Sequence, residues 1–164
     1  MNLLHKFISN RVRAIMASRP PDFVEDPYML RWWLIPRNRF FNIYLHHILH
    51  DDKDRALHDH PWASLSYIIS GKLVEHYKKI YPTYHWIKWV QKSRVLKARQ
   101  WVYRSATFVH RLILVSDTAT TLFMTGPTVR SWGFHCPQGW VPWQDFVSPD
   151  DKGAVGRGCG ETKN

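Results

Sequence analysis

The chain has 164 residues and a mass of 19.5 kDa, enough for one domain with a proper core and hardly for two. Hydrophobic content is ordinary at 45%, but aromatics reach 15% with nine Trp, a bias that suits β structure and ligand pockets. Two cysteines, Cys136 and Cys159, cannot make a disulfide scaffold, and neither belongs to a C-x-x-C pair. No run approaches the roughly 18 apolar residues a membrane helix needs. Residues 1–16, broken by Lys6, Arg11 and Arg13, lack the apolar stretch of a signal peptide. The expectation is a cytoplasmic protein without membrane association.

The formal charge of +10 is unevenly placed. From Lys72 to Arg104 there are nine basic residues against one acid, Glu75. The plain account is a row of outward, solvated strand positions. The alternative is a surface for an anionic partner such as a nucleotide, nucleic acid or acidic protein. No zinc-finger, helix-turn-helix or RNA-recognition signature accompanies the charge, so it does not by itself establish a nucleic-acid partner.

Leu4, Phe7, Ile8, Val12, Ile15 and Met16 recur at helical spacing and predict an amphipathic helix over residues 2–17, ended by Arg19-Pro20-Pro21. Short apolar-aromatic runs follow, with strands predicted at 31–35, 41–49, 62–69, 72–77, 85–90, 94–98, 110–115, 120–125 and 131–135. Many short strands at near-regular spacing predict a sandwich or barrel. The chain divides into a helical segment (1–20), a β domain (21–147) and a Gly-, Asp- and Lys-rich tail (148–164) expected to be disordered.

His58-Asp59-His60-Pro61-Trp62 carries the chemistry. On extended chain, residues i and i+2 share a face, so His58 and His60 present two imidazoles together. His110 opens another apolar run and can supply a third from a neighbouring strand. Three imidazoles suit a divalent transition metal and leave coordination positions open. If Ser70-Gly71 is a two-residue hairpin turn, Ser66 faces Glu75. His58, His60, Trp62, Ser64 and Ser66 then share a polar face with Glu75 and Tyr77. Ala63, Leu65, Tyr67, Ile69 and Val74 form the opposite, apolar face, to be covered by the helix or by a second subunit in a homodimer.

Over roughly residues 40–135 this pattern resembles the cupin family, whose first motif is G-x5-H-x-H-x(3,4)-E-x6-G and whose second is G-x5-P-x-G-x2-H-x3-N. His58, His60 and Gly71 keep the first spacing, with Ser64 at the glutamate position and Asp52 at the leading glycine. His110 matches the second motif, with Ser105-Ala106-Thr107 in place of P-x-G, Arg99 in place of its first glycine and Leu114 in place of the asparagine. Thr125-Gly126-Pro127 and Trp132-Gly133-Phe134-His135 further resemble a group of small bacterial and phage cupins. The resemblance implies an all-β jelly-roll barrel and metal ligation by His58, His60 and His110. Ser64 puts the family's 3-His-1-Glu set in doubt, while three-histidine cupin sites occur among thiol dioxygenases.

Glu75 is the candidate catalytic residue, as a ligand or a general base. Arg111 and Arg130 are candidates to fix an anionic substrate group, although Arg111, adjacent to His110, is sent to the opposite strand face. Trp132 and Tyr77 are candidate substrate walls. Asp59 points away from the two histidines and is expected to accept from Arg55 or another nearby arginine. His46, His47 and His50 do not converge on one ion and are expected at the surface or pocket rim. Cys136 is expected to be structural. Among functions, a neutral three-histidine site favours Fe(II) and an oxidation of a small, anionic molecule. The alternatives are a non-oxidative isomerase or hydrolase with Zn, Ni or Mn, and a non-catalytic binding module with a basic face.

Overall fold

The computed structural model describes residues 3–25, 28–51, 56–82, 87–150 and 155–160, and the side chains among them except those of 80–88. It opens with α1 (Leu3–Ser18), followed by β1 (Phe23–Glu25), β2 (Met29–Trp33), β3 (Asn42–Ile48), β4 (Leu57–His58), β5 (Ser64–Ser70) and β6 (Lys72–Pro82). Then come β7 (Ile87–Lys97), β8 (Trp101–Arg104), β9 (His110–Leu114), β10 (Ala119–Thr125), β11 (Gly133–Cys136), β12 (Gly139–Pro142) and the short α2 (Trp143–Phe146).

The strands form two antiparallel six-stranded sheets, ordered β1-β2-β3-β10-β5-β8 and β12-β11-β4-β9-β6-β7. From β3 to β6 and again from β8 to β11 the chain changes sheet at every connection, the winding of a jelly roll. The all-β fold behind an N-terminal helix is therefore the one the sequence predicts. The predicted strands at 85–90 and 94–98 are one strand, β7; residues 85 and 86 lie outside the described residues. Sequence reading missed β1, β4, β8 and β12, all of four residues or fewer, too short to show a period.

Two hydrophobic clusters divide the labour. Inside the barrel, Met29, Ile48, Ile68, Leu73, Leu96, Val102 and Ala119 pack from both sheets and close one end. Outside the first sheet, Val12 of α1 packs with Trp32, Leu45, Tyr67 and Ile69, flanked by Ile8, Ile15 and Met16. The helix thus covers Tyr67 and Ile69 of the apolar face for which the sequence offered helix or second subunit, while Val74 lies on the second sheet. Only part of the helical stripe is used: Leu4 and Phe7 are exposed.

The Ser70-Gly71 hairpin requires correction. β5 pairs with β10 and β8, while β6 pairs with β7 and β9, so Ser66 does not face Glu75 across a turn. Gly71 is instead the point where the chain passes from one sheet to the other. Its φ is +83°, and a Cβ there would lie 2.3 Å from the Thr118 carbonyl oxygen, so only glycine fits. Arg99, where the second cupin motif has glycine, also adopts a left-handed φ of +73°.

The tail also differs from expectation. Val155 bridges Val147, the amides of Gly156 and Gly158 donate to the Phe146 carbonyl, and Cys159 is disulfide-bonded to Cys136. Residues 155–160 are therefore anchored against α2 and β11 rather than loose. Residues 151–154 and 161–164 lie outside the described residues.

Candidate metal centre

His58 ends β4, a two-residue strand held between β11 and β9, in register with Phe134 on one side and His110 on the other. Beyond it the Asp59 amide donates to the Gly133 carbonyl and the His60 amide to that of Ala106. This extended chain keeps His58 and His60 on one face, and the β4–β9 pairing brings His110 beside them. One nitrogen from each of the three imidazoles lies within 4.8 Å of the others. The Nε2 atoms of His60 and His110 are 2.9 Å apart, a separation that two nitrogens bound to one ion at about 2.0–2.1 Å also make. Among the described residues this is the one cluster of His, Cys, Asp or Glu with such convergence.

Glu75 supports the cluster from behind. It is fully buried on the inner face of β6, with Arg94 Nε 2.5 Å from Oε2 and Arg104 Nε 2.6 Å from Oε1. His110 Nδ1 lies 2.7 Å from Oε1. Burial raises the Glu75 pKa, but the hydrogen bond from His110 and the Arg104 charge outweigh it and hold the carboxyl at about 2. Burial pushes His110 down to about 3, against the opposing pull of Glu75. Burial, with the neighbouring His58, His110 and Arg104, pushes His60 well below the usual histidine range. His110 turns Nδ1 toward this carboxylate and Nε2 toward His60, so a neutral ring protonated at Nδ1 would present a bare Nε2 lone pair to the other imidazoles. That donor set fits a divalent transition metal.

The triad opens into a cavity of about 750 Å³. His58, His60, Trp62, Trp132 and His110 line it on one side, and Arg31, His46, Thr121 and Phe123 on the other. His60 is flanked by the Trp62 and Trp132 rings, nearly parallel to it at 6.2 and 6.4 Å. Trp132 is thus in the wall, as the sequence suggests.

The other sequence candidates lie elsewhere. Glu75 stands behind His110, not in the cavity, and both its oxygens are engaged, so it is placed to orient a ligand rather than to be one. Tyr77 is not a cavity wall; it stacks on Phe108, with the Arg94 guanidinium over its ring. Arg111, in register with His76, is on the outer face of β9, as strand alternation dictates. Arg130 is a clamp: its Nη1 lies 2.9 Å from Asp59 Oδ2 and donates to the Ala106 carbonyl at 3.2 Å. Asp59 therefore finds a nearby arginine; Arg55 lies outside the described residues. Asp59 also accepts from the Gly133 amide and Trp140 Nε1, with His135 Nε2 3.2 Å away.

His46 is not at the surface or rim. It is 8% exposed, lines the cavity, and stacks on Phe123 at 4.8 Å. His47 lies 3.0 Å from Thr120 Oγ1, and His50 is exposed. Sequence reasoning missed Arg104, Arg31 and His46. Arg104 was hidden because β8 was not predicted. Arg31 and His46 sit directly opposite each other in the β2–β3 register, a pairing that the two strand predictions contained but did not align.

No family model matches the sequence, and no curated protein matches it. Among solved structures, oxalate decarboxylase from Bacillus subtilis is similar with a TM-score of 0.48 and 14% identity over 72% of this chain and 30% of that one. Oxalate decarboxylase from Lactobacillus farciminis in a formate complex gives 0.47 and 14%, over 73% and 34%. The FeII form of HppE gives 0.46 and 12%, over 60% and 50%. The chain thus spans about a third of the decarboxylase chains and half of the third structure. Its own strand order is that of a jelly roll, and its three converging histidines are close enough together to hold one ion. No described helix is long and apolar enough to cross a membrane.

Proposed function

We propose that this cupin-fold protein is a metal-dependent oxygenase or oxidase that takes Fe(II) on His58, His60 and His110 and acts on a small anionic molecule. The observation that carries the reading is the donor set. Three imidazoles, which bind metal as neutral donors, converge on a roomy cavity, and the nearest carboxylate is withdrawn behind His110. Such a set leaves positions open on a six-coordinate ion and adds no negative charge to it. Bound there, Fe(II) would supply oxidation chemistry with dioxygen as the electron acceptor.

The chain's own residues have separable tasks. Glu75 holds the His110 proton at Nδ1, which keeps Nε2 bare for the ion. Arg104 and Arg94 keep Glu75 ionised, so that the proton stays on the imidazole. Trp62 and Trp132 flank His60 and exclude water from that side. Glu75 is in this reading a positioning residue.

The test is anaerobic reconstitution with Fe(II), followed by electron paramagnetic resonance after addition of nitric oxide. A high-spin iron–nitrosyl signal is expected, lost in His110→Ala. Retention of Zn, Ni or Mn, with no iron uptake and no such signal, would contradict the oxidative reading. That outcome would favour an isomerase or hydrolase using the ion as a Lewis acid.

A further inference from the structure

The cavity lining carries buried side-chain nitrogens with no acceptor among the described residues, one beside the triad at Trp62 and two facing it at Arg31 and His46. Arg31 Nε and Trp62 Nε1 are both buried, and neither has a hydrogen-bond partner among the described residues. The Arg31 guanidinium is held between the Phe23 and Tyr44 rings, 5.4 and 5.3 Å from their centroids. Ring faces place a cation but satisfy none of its N–H groups. Next to Arg31, His46 Nε2 is likewise buried without a partner. Leaving such groups unmade is costly, and the presence of Arg31, His46 and Trp62 along one cavity points to a ligand that completes them.

A second, smaller cavity of about 150 Å³ adjoins the first and shares Arg31, Trp62 and Phe123 with it. Arg37, Arg39, Asn38 and Asn42 line its far side, and none of its lining residues is acidic. The loop bearing the two further arginines is fixed by its own bonds. Asn38 Oδ1 accepts from the Phe40 and Phe41 amides, while Asn42 Oδ1 accepts from the Asn38 amide and Asn42 Nδ2 donates to the Asn38 carbonyl. Arg37 lies over the Trp33 ring and Arg39 over that of Phe40. Three arginines therefore line a space too small for a whole substrate and suited to one compact anionic group. Glu25, on the main-cavity side, is the acid whose charge acts on Arg31.

We propose that this side cavity is a phosphoryl subsite, so that the substrate is a small phosphomonoester. Arg31 and Trp62 would grip its phosphate, Arg37 and Arg39 would close over it, and the remainder would reach toward the histidine triad. A phosphate offers the oxygens to accept from several donors at once and the charge to match more than one guanidinium, which a carboxylate does not. This deepens the reading of an anionic substrate at the triad and rests on it for the reaction, but not for the binding of phosphate.

Calorimetric titration with phenyl phosphate, and with benzoate at the same ionic strength, tests it. Wild-type protein is expected to bind phenyl phosphate at least about tenfold more tightly than benzoate. Arg31→Gln is expected to weaken phenyl phosphate binding by about tenfold or more, and the double variant Arg37→Gln, Arg39→Gln by several-fold. Lys72→Gln, on the basic second sheet, should leave it unchanged. Equal binding of benzoate, or an undiminished affinity in Arg31→Gln, would overturn the subsite. Should Arg31→Gln fail to fold by circular dichroism, the exposed Arg37, Arg39 pair decides, and an unchanged affinity there overturns the proposal. Metal content is read on the same samples. His58→Ala, His60→Ala should lose metal and keep phenyl phosphate, whereas Arg31→Gln should lose phenyl phosphate and keep metal. Loss of phenyl phosphate binding in the histidine variant would place the phosphate on the metal and also overturn the subsite.

Discussion

Glu75 and Asp59 are both buried acids beside the histidine triad, yet they act on different things. Glu75 touches a triad histidine itself: its carboxylate meets His110 Nδ1 and is neutralised by Arg104 and Arg94. Asp59 lies between His58 and His60 in sequence but turns the other way. It gathers the Gly133 amide, Trp140, His135 and Arg130. One acid faces an imidazole nitrogen, and the other holds the backbone that carries two imidazoles. The lesson is that burial and a low pKa do not assign a role. What each oxygen touches does.

Replacing Glu75 should have the largest effect. Glu75→Gln leaves Arg104, 3% exposed, without its counter-charge, and a buried pair broken on one side costs about 3–5 kcal/mol. It also removes the charge that holds the His110 proton, so metal affinity should fall about 10–100-fold. Urea unfolding and competition with a chelator measure the two separately. Loss of stability with undiminished metal affinity would reduce Glu75 to a structural acid.

On the Asp59 side, the Cys136–Cys159 link ties β11 to the tail across a sequence separation of 23. Opening a loop of that size should cost about 3 kcal/mol. Thermal unfolding of Cys136→Ser, Cys159→Ser should show it, with metal affinity nearly unchanged. A parallel fall in metal affinity would mean that the tail also shapes the triad.

Asp59→Asn is the direct counterpart of Glu75→Gln. It keeps the size and an acceptor for Gly133 but loses the charge facing Arg130, for about 1–3 kcal/mol. Metal affinity should fall much less than in Glu75→Gln. Equal losses in the two variants would erase the distinction drawn here.

Acid titration separates the two acids more finely. Burial raises the Asp59 pKa, but the bonds from His135, Gly133 and Arg130 together hold it below its ordinary 3.8. Glu75 is held at about 2 against an ordinary 4.5. Both are depressed in the fold, so the stability they contribute is complete above the ordinary values and lost as pH falls through the folded ones. The fall in unfolding free energy between about pH 4.5 and 2 should therefore flatten in Glu75→Gln. In Asp59→Asn it should flatten only below about pH 3.8. An unaltered acid limb in both variants would contradict these assignments.

The triad was legible because it depends on local rules. The i, i+2 spacing of His58 and His60 needs only extended chain, whereas the inner placement of Glu75 is read through an assumed β5–β6 hairpin. Both survive although the hairpin assumed between β5 and β6 does not exist. Pairing partners were not legible, since Gly71 serves equally as a hairpin turn or as a crossing between sheets. Only the contact with Thr118 and Ala119 distinguishes these, and that contact is long-range. For the same reason Arg130 reads as a substrate group in the sequence, and its pairing with Asp59 appears only in the structure. The cavity's arginine, Arg31, needed the β2–β3 register to be found.

The central claim is that His58, His60 and His110 form the metal site. Metal content of anaerobically purified protein, measured by mass spectrometry for wild type and for His58→Ala, His60→Ala, tests it most directly. About one divalent transition-metal ion per folded wild-type chain, with loss from the folded double variant, is the predicted result. Stoichiometric metal retained in the double variant would contradict it and place the site elsewhere.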